Sequence, residues 1–179
     1  RSELLVKLQS QTIKEICDND WKGLTIERLP EIPDFTLLVG WTGQVAITDS
    51  LIQATEKKRK VATDSEFYKD FLKKSHAIVQ GLQSAWNEQD IPALQEGIRT
   101  NRALLNEFAR EMQLEIETPA LQTLCDLAEQ NGAFAKTSGA GGGDCGICFT
   151  QNETQRQQIE TQWAKAQIQV LPIAIAEAW

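Results

Sequence analysis

The chain has 179 residues, of which 41% are hydrophobic and 24% are charged, and these values are ordinary for a globular domain. They exclude a disordered, a collagen-like and a coiled-coil protein. Eighteen basic residues stand against 25 acidic ones, so the net charge is −7 and the broad positive surface of a nucleic-acid binder is absent. No apolar run reaches the ~20 residues that cross a bilayer, and no signal peptide opens the chain. We therefore expect a cytoplasmic protein that binds neither nucleic acid nor membrane.

The four cysteines, Cys17, Cys125, Cys145 and Cys148, are predicted to be reduced, and burial is the default expectation for them. A chain of this length has enough core not to need disulfides. Cys145-x-x-Cys148 has the spacing of a zinc knuckle, but the sequence offers no second such pair and a single histidine, His76. We therefore predict no metal site, and we expect His76 to be a solvated residue off the apolar stripe of its helix.

The first third of the chain predicts two helices and two strands. Apolar residues at helical spacing indicate a helix that ends before Asn19. Residues 25–29 are predicted as a strand, and the apolar run 36–40 as a strand buried on both faces. A turn at Trp41 then leads into a helix over about residues 48–60.

The middle of the chain predicts three helices with defined ends. Thr63 and Glu66 have the spacing of a capping box for the first helix. Asp90 caps the second helix, and Thr118 caps the third, which Gly132 ends. The apolar residues on one face of the first two helices are expected in the core, and they are Phe67, Phe71, Ile78, Leu82 and Trp86, then Leu94, Ile98, Leu105, Phe108 and Met112.

The last third changes pattern at residue 133. Residues 133–136 and 145–149 are predicted as strands, with a loop over 137–143 between them. Asn152 caps a further helix whose core face carries Ile159 and Trp163, and a closing strand follows around Pro172. Strands that flank a helical block and are followed by strand, helix and strand predict an α+β fold.

The segment 136–146, Lys-Thr-Ser-Gly-Ala-Gly-Gly-Gly-Asp-Cys-Gly, is the most informative part of the sequence. Four glycines occupy five positions from 139 to 143, and glycine is costly to order because it loses the most backbone freedom on folding. A physical reason is an anion, since successive amides turned inward form a concave site for phosphate. Ser138 would add a hydroxyl donor and Lys136 a charge. The alternative is a glycine-rich hairpin or hinge without a ligand.

Two common nucleotide-binding motifs do not fit this segment. Gly141-x-Gly143-x-x-Gly146 matches the dinucleotide fingerprint as letters, but that fingerprint needs a helix that opens within it. Here a strand-like run, residues 147–149, follows instead. A Walker loop needs lysine and a hydroxyl residue after its last glycine, and the sequence has aspartate and cysteine there.

The glycine-rich segment closely resembles the third conserved motif of the phosphomevalonate kinases, a branch of the galactokinase, homoserine kinase, mevalonate kinase and phosphomevalonate kinase superfamily. The ending Asp144-Cys145-Gly146 favours this branch, because mevalonate kinases usually carry glycine where Asp144 stands. Residues 37–43, Leu-Leu-Val-Gly-Trp-Thr-Gly, are similar to the family's Leu-Val-Gly-Trp-Thr segment. Residues 20–24 also fit the family, whereas Cys148 replaces an expected alanine.

The resemblance covers only the C-terminal half of such an enzyme. It implies a small mixed or antiparallel sheet covered by a helical bundle, with residues 1–179 forming a single lobe. The family's N-terminal lysine region and its Pro-x-x-x-Gly-Leu-x-Ser-Ser loop around the ATP phosphates have no counterpart in these residues. Because the chain also starts at Arg1, we interpret it as a fragment that is inactive alone. Its bare interlobe surface would allow a homo-oligomer.

The resemblance further implies transfer of the γ-phosphoryl group of ATP, with Mg²⁺, to (R)-5-phosphomevalonate, which gives 5-diphosphomevalonate for isoprenoid synthesis. The amides of residues 139–142 and the Ser138 hydroxyl are the implied donors to phosphate. Asp144 either holds the loop or approaches Mg²⁺, and no general base is identified. The implied phosphate- and substrate-binding residues are Lys136, Ser138, Gly139, Ala140, Gly141, Gly142, Gly143, Asp144, Thr48 and Ser50.

Two alternatives stay open at this point. The chain could come from another enzyme of the superfamily, a mevalonate kinase or a diphosphomevalonate decarboxylase. It could also be a non-catalytic anion-binding module that kept the loop.

Overall fold

The computed structural model describes residues 12, 14, 15, 29–33, 35–44, 65–139 and 141–173. Within them the structure is α+β, as predicted, with four helices and a four-stranded sheet. The elements in chain order are β1 (Thr36–Trp41), α1 (Glu66–Glu88), α2 (Ile91–Glu111), α3 (Pro119–Gln130), β2 (Phe134–Thr137), β3 (Cys145–Thr150), α4 (Glu153–Lys165) and β4 (Gln169–Val170). The helix predicted over 48–60 and most of what was predicted before residue 29 lie outside the described residues.

The sheet has the strand order β2-β3-β1-β4, and every described pair is antiparallel. In the long β1–β3 pair, Thr36 lies opposite Thr150 at one end and Trp41 opposite Cys145 at the other. The β2–β3 pair is a hairpin whose connecting loop leaves the sheet at the Trp41 end. The topology therefore brings the glycine-rich loop and the C-terminal end of β1 to the same end of the sheet.

Helices α3 and α4 cover one face of the sheet and approach it closely at two glycines. Gly40 of β1 lies opposite Gly146 of β3. A Cβ atom on either residue would lie within 3 Å of the Leu124 side chain, and one on Gly40 would also meet Trp163. Leu124 and Trp163 are fully buried, and the Trp163 indole N–H donates to the Leu124 carbonyl at 3.0 Å. Because Gly40 and Gly146 have no side chain, the Leu124 and Trp163 side chains of the two helices can pack directly against the sheet backbone.

The opposite face of the sheet is covered by aromatic residues and by helices α1 and α2. Phe134 and Phe149, which are cross-strand partners, lie 5.6 Å apart between ring centroids. Phe35 stacks on Phe149 at 5.0 Å and meets Trp86 of α1 edge-on at 5.4 Å. Leu94 of α2 is buried in the same cluster. The predicted apolar stripes of both helices therefore reach the core.

Most of the predicted helix caps are confirmed. The Asp90 carboxylate accepts from the Ala93 amide at 3.0 Å, and the Asn152 side chain accepts from the Gln155 amide at 2.9 Å. Thr118 caps α3, and Gly132 follows the end of that helix with φ 76°. A capping residue acts within its own turn of helix, so the sequence alone suffices to find it.

Four local predictions are wrong. Helix α1 begins at Glu66 with Ser65 as its cap, two residues after the predicted cap at Thr63, which itself lies outside the described residues. Leu104, and not Leu105, is among the buried residues of α2. Strand β1 buries only alternate residues, Leu38 and Gly40, because one face of this antiparallel strand is better covered than the other. The closing strand covers Gln169–Val170 and does not continue through residues 171–173, and residues 174 and 175 lie outside the described residues.

Cysteine burial is partly as predicted. Cys125 and Cys148 are buried and free, whereas Cys145 is free and half-buried. His76 is exposed on α1, as expected. The described helices include none that is long and apolar enough to cross a bilayer.

Candidate functional site

The glycine-rich loop, residues 138–144, joins β2 to β3 and contacts the turn that follows β1. The Thr42 amide and the Thr42 hydroxyl both donate to the Asp144 carbonyl, at 2.9 and 3.1 Å. The Asp144 amide donates to the Gln44 carbonyl at 2.8 Å. Thr42 and Asp144 are 102 residues apart in the sequence. The two segments that carry the family resemblance are therefore in direct contact.

The backbone of the loop needs glycine for conformational reasons. Gly139, Gly141, Gly142 and Gly143 have φ values of 66°, 76°, 81° and 124°, which residues with a side chain rarely adopt. Asp144 also has a positive φ, 60°, and aspartate is one of the few other residue types enriched there. The glycine content is thus explained in part by the path of the chain, before any ligand is considered.

The loop lies against Ile116, in the segment between α2 and α3. A Cβ on Gly141 would overlap the Ile116 carbonyl oxygen and would lie 2.7 Å from its Cγ2. The Gly142 amide donates to the same carbonyl at 2.8 Å. This corrects the prediction that the Gly142 amide is a donor to phosphate, because its hydrogen is already bonded within the protein.

Three other amides of the loop have no acceptor among the described residues. The N–H groups of Gly139, Gly141 and Gly143 donate to no other residue in the described part of the chain. The amides of Gly141 and Gly143 alternate along the chain with those of Gly142 and Asp144, which are bonded to Ile116 and Gln44. Gly139 is exposed, and a Cβ built on it would meet nothing within 4 Å. Gly141 and Gly143 are buried, and backbone amides without an internal acceptor are the kind of group that binds an anion in such loops.

Lys136 lies in β2, two residues before Ser138, which begins the loop. The Ser138 amide donates to the Cys145 carbonyl at 3.0 Å and closes the β2–β3 hairpin. The Lys136 ammonium donates to the Thr137 carbonyl at 2.8 Å, next to Ser138. Burial lowers the pKa of Lys136 from its ordinary value, because the charged form loses solvation. An anion bound beside this lysine would favour its charged form.

Asp144 holds the loop through its main chain. Its N–H and C=O bond to Gln44 and Thr42, while its carboxylate belongs to an exposed residue and lies 3.7 Å from the Cys145 sulfur. The described residues contain no group of three or more histidine, cysteine, aspartate or glutamate side chains arranged to hold a metal. A cation that is bound mainly by phosphates and water needs only one or two carboxylates, so Asp144 fits such a role as a single ligand.

The structure adds residues that the sequence pattern did not single out. Ile116 and Gln44 accept backbone hydrogen bonds from the loop, and Thr42 donates to it. Neither Ile116 nor Gln44 belongs to a recognisable motif, so no sequence feature would have identified their contacts. The predicted site residues Thr48, Ser50 and Ala140 lie outside the described residues.

Comparison with known proteins assigns the family. Residues 82–169 match the family model described as GHMP kinases C terminal. The phosphomevalonate kinase of Streptomyces sp. strain CL190 is 37% identical over 158 residues, which cover 87% of this chain and 42% of that protein. The crystal structure of the Lin0012 protein of Listeria innocua has a TM-score of 0.83 and 31% identity, and covers 96% of this chain and 48% of its own.

A second solved structure has the same extent. The phosphomevalonate kinase of Streptococcus pneumoniae, in complex with phosphomevalonate and AMPPNP, has a TM-score of 0.76 and 26% identity, over 95% of this chain and 48% of that one. The chain therefore spans between 42% and 48% of the length of these three relatives. By sequence and fold, the chain belongs to the GHMP kinases and contains their C-terminal domain.

Proposed function

We propose that the chain is the C-terminal lobe of a phosphomevalonate kinase, which transfers the γ-phosphoryl group of ATP to (R)-5-phosphomevalonate. The observation that supports this most is the glycine-rich loop, where the amides of Gly139, Gly141 and Gly143 donate to no other described residue. The Streptococcus pneumoniae relative binds phosphomevalonate and an ATP analogue, and both ligands carry phosphates that need such donors.

The chemistry asked of this lobe is positioning and charge stabilisation. Phosphoryl transfer needs the acceptor phosphate, the moving γ-phosphoryl group and the leaving group roughly in line. The three amides and the Ser138 hydroxyl would hold phosphate oxygens in that geometry, and the fixed N–H dipoles would stabilise charge that builds up on them. Lys136 would add a positive charge at the start of the loop. Of the predicted donors, we leave out the Gly142 amide.

The remaining predicted groups take supporting roles in this proposal. Mg²⁺, when bound with the nucleotide, would neutralise charge on the transferred group, and Asp144, the carboxylate of the loop, would be the residue to hold it. Ala140, Thr48 and Ser50 stay predicted substrate contacts.

We further propose that residues 1–179 form one lobe, that the other half of the enzyme supplies the main ATP-binding loop, and that the enzyme works in the cytoplasm. These 179 residues alone should then produce no ADP.

The experiment is an assay of the complete enzyme with ATP and Mg²⁺. ADP release is measured with 5-phosphomevalonate, mevalonate or 5-diphosphomevalonate as the second substrate, and the product is identified by ³¹P NMR. We expect ADP only with 5-phosphomevalonate, together with the resonances of a diphosphate ester. ADP with mevalonate alone, or CO₂ release from 5-diphosphomevalonate, would assign the chain to another enzyme of the superfamily. Binding without turnover of any of the three would indicate a non-catalytic module.

A further inference from the structure

A mostly buried ion pair lies beside the segment that supports the glycine loop. Arg102 of α2 is 12% exposed at its side chain and Glu117 is 6% exposed. The Arg102 Nε donates to both carboxylate oxygens of Glu117, at 3.0 and 3.1 Å, and Nη2 donates to the same carboxylate. The Asn106 side chain donates to Glu117 as well, at 2.8 Å. Glu117 is therefore held from α2 by two side chains.

The same arginine also contacts helix α3. Its Nη2 and Nη1 lie 2.7 and 2.8 Å from carboxylate oxygens of Asp126 and Glu129. Burial alone would lower the pKa of Arg102, but the hydrogen bonds to Glu117 and Asp126 raise it above its ordinary value, so the guanidinium stays charged. Removal of one partner from such a group leaves a charge uncompensated, whereas the intact pair is often no more stabilising than apolar residues of the same size. A fixed geometry is a better reason for this group than stability is.

The ion pair is connected to the glycine loop by a single peptide unit, the one between Ile116 and Glu117. Glu117 follows Ile116 directly, and the Ile116 carbonyl accepts the Gly142 amide at 2.8 Å. The carbonyl and side chain of Ile116 also fill the space where Gly141 lacks a side chain. Thr118, on the other side of Glu117, caps α3. Any rotation of the Glu117 backbone would thus move the surface on which Gly141 and Gly142 lie.

We propose that Arg102 and Glu117 are positioning residues for the glycine loop, and that they act through Ile116. Neither side chain needs to touch substrate. Their effect is to fix the carbonyl that holds the Gly142 amide, so that the neighbouring amides of Gly141 and Gly143 keep the orientation needed for phosphate. This inference rests on the proposed kinase function for its catalytic consequence, but the coupling of the ion pair to the loop is independent of that function.

The test compares two glutamate variants of the complete enzyme that lose the same charge. Glu117→Gln removes the charge from the positioning pair. Glu160→Gln removes it from an ion pair of α4, where Arg156 lies 3.0 Å from Glu160 in a surface cleft next to Thr36, at the other end of β1 from the loop. Hydrogen exchange is measured for peptides that cover 138–144 and for peptides of α2 and α3, and kcat and KM are measured for 5-phosphomevalonate.

We expect Glu117→Gln to speed exchange at 138–144 by about 10-fold more than in α2 and α3, and to lower kcat/KM by about 10-fold or more, since small misplacements of binding groups are costly. Glu160→Gln should change neither. Equal acceleration in the loop and in both helices would overturn the inference, because the pair would then stabilise the fold as a whole. Unchanged exchange at 138–144 would also overturn it.

A milder variant covers the case in which Glu117→Gln does not fold. Asn106→Ala removes only the amide donor to Glu117 and keeps the ion pair. This variant should also speed hydrogen exchange at 138–144 more than in α2 and α3, but by a smaller factor than Glu117→Gln. Unchanged exchange at 138–144 would contradict the coupling. If the unmodified enzyme turns over no phosphomevalonate, the kinase proposal fails while the exchange measurement still decides on the ion pair.

Discussion

At the scale of single residues, the loop glycines differ in what a side chain would meet. Gly141 is buried, has φ 76°, and has the Ile116 carbonyl where a Cβ would stand. Gly139 has a similar φ, 66°, but is exposed and open on that side. Both positions therefore need glycine for its positive φ. Gly141 also packs closely against the protein, whereas Gly139 is open to the approach of a ligand.

This difference predicts different effects of two alanine substitutions in the complete enzyme. Gly141→Ala should lower the free energy of unfolding by about 2–5 kcal/mol, from left-handed strain plus overlap with Ile116. Gly139→Ala should lower it by only about 1–2 kcal/mol, yet should raise KM for 5-phosphomevalonate, because its methyl group would stand where we place the phosphate. Urea unfolding and steady-state kinetics check both effects. Equal losses of stability, or an unchanged KM in Gly139→Ala, would contradict this assignment.

The buried thiol of Cys148 predicts a pH effect on stability. Burial raises its pKa from 9.0 to about 12, and nearby Cys125 acts in the same direction. Between those two values the unfolded chain loses the proton and the folded one keeps it, so stability falls as pH rises, by up to ~1.4 kcal/mol per pH unit for this group. Cys148→Ala should flatten the decline between pH 9 and 12 in urea unfolding, and Cys145→Ala should do so less. An identical decline in Cys148→Ala and the unmodified protein would show that this thiol is not responsible.

At the scale of elements, the sheet and the helices fit together through paired glycines. Gly40 directly precedes Trp41, and Gly146 directly follows Cys145, so each belongs to one of the two segments that resemble the family. The two glycines lie opposite each other in the sheet, and both face Leu124. Their role is packing of α3 onto the sheet, so part of what makes these motifs recognisable is structural. Phosphate binding does not account for Gly146.

Gly146→Ala should therefore destabilise the protein by about 1–3 kcal/mol, because the new methyl group would lie 2.6 Å from the Leu124 side chain. Leu124→Val in the same protein should recover part of the loss, with a coupling energy of about 0.5–3 kcal/mol in a double-mutant cycle of urea unfolding. The control is Gly81→Ala on the exposed face of α1, where nothing lies within 4 Å of a Cβ and where alanine should stabilise by about 0.5–1 kcal/mol. Additive effects at 146 and 124 would contradict the packing account.

Whether a feature of the fold or of the site could be predicted from the sequence depends on how far apart in the chain its interacting residues lie. The caps at Asp90, Thr118 and Asn152 act within one turn of helix and were predictable. The Leu104 and Leu105 assignment failed because two adjacent leucines fit the apolar stripe equally well, and packing against other elements decides between them. The bond from Gly142 to Ile116 and those from Asp144 to Gln44 and Thr42 join distant segments, and no local pattern encodes them.

At the scale of the whole molecule, the glycine loop and the segments that contact it lie at one end of the sheet. Antiparallel pairing of β1 with β3 brings the turn at 42–44 to the glycine loop, and the segment between α2 and α3 lies beneath it. The acidic composition, with a net charge of −7, agrees with anion binding by neutral amides rather than by a broad basic surface. A homo-oligomer of the isolated lobe remains a prediction, which light scattering checks.

The central claim is that the amides of Gly139, Gly141 and Gly143 receive phosphate oxygens, and the most direct measurement is residue-resolved amide NMR of the complete enzyme titrated with 5-phosphomevalonate. We predict saturable shifts at these three glycines and a smaller shift at Gly142, whose hydrogen is bonded to Ile116. If the ligand saturates the enzyme, with shifts elsewhere, while these three amides keep their free resonances, the phosphate is bound by other groups and the account is wrong.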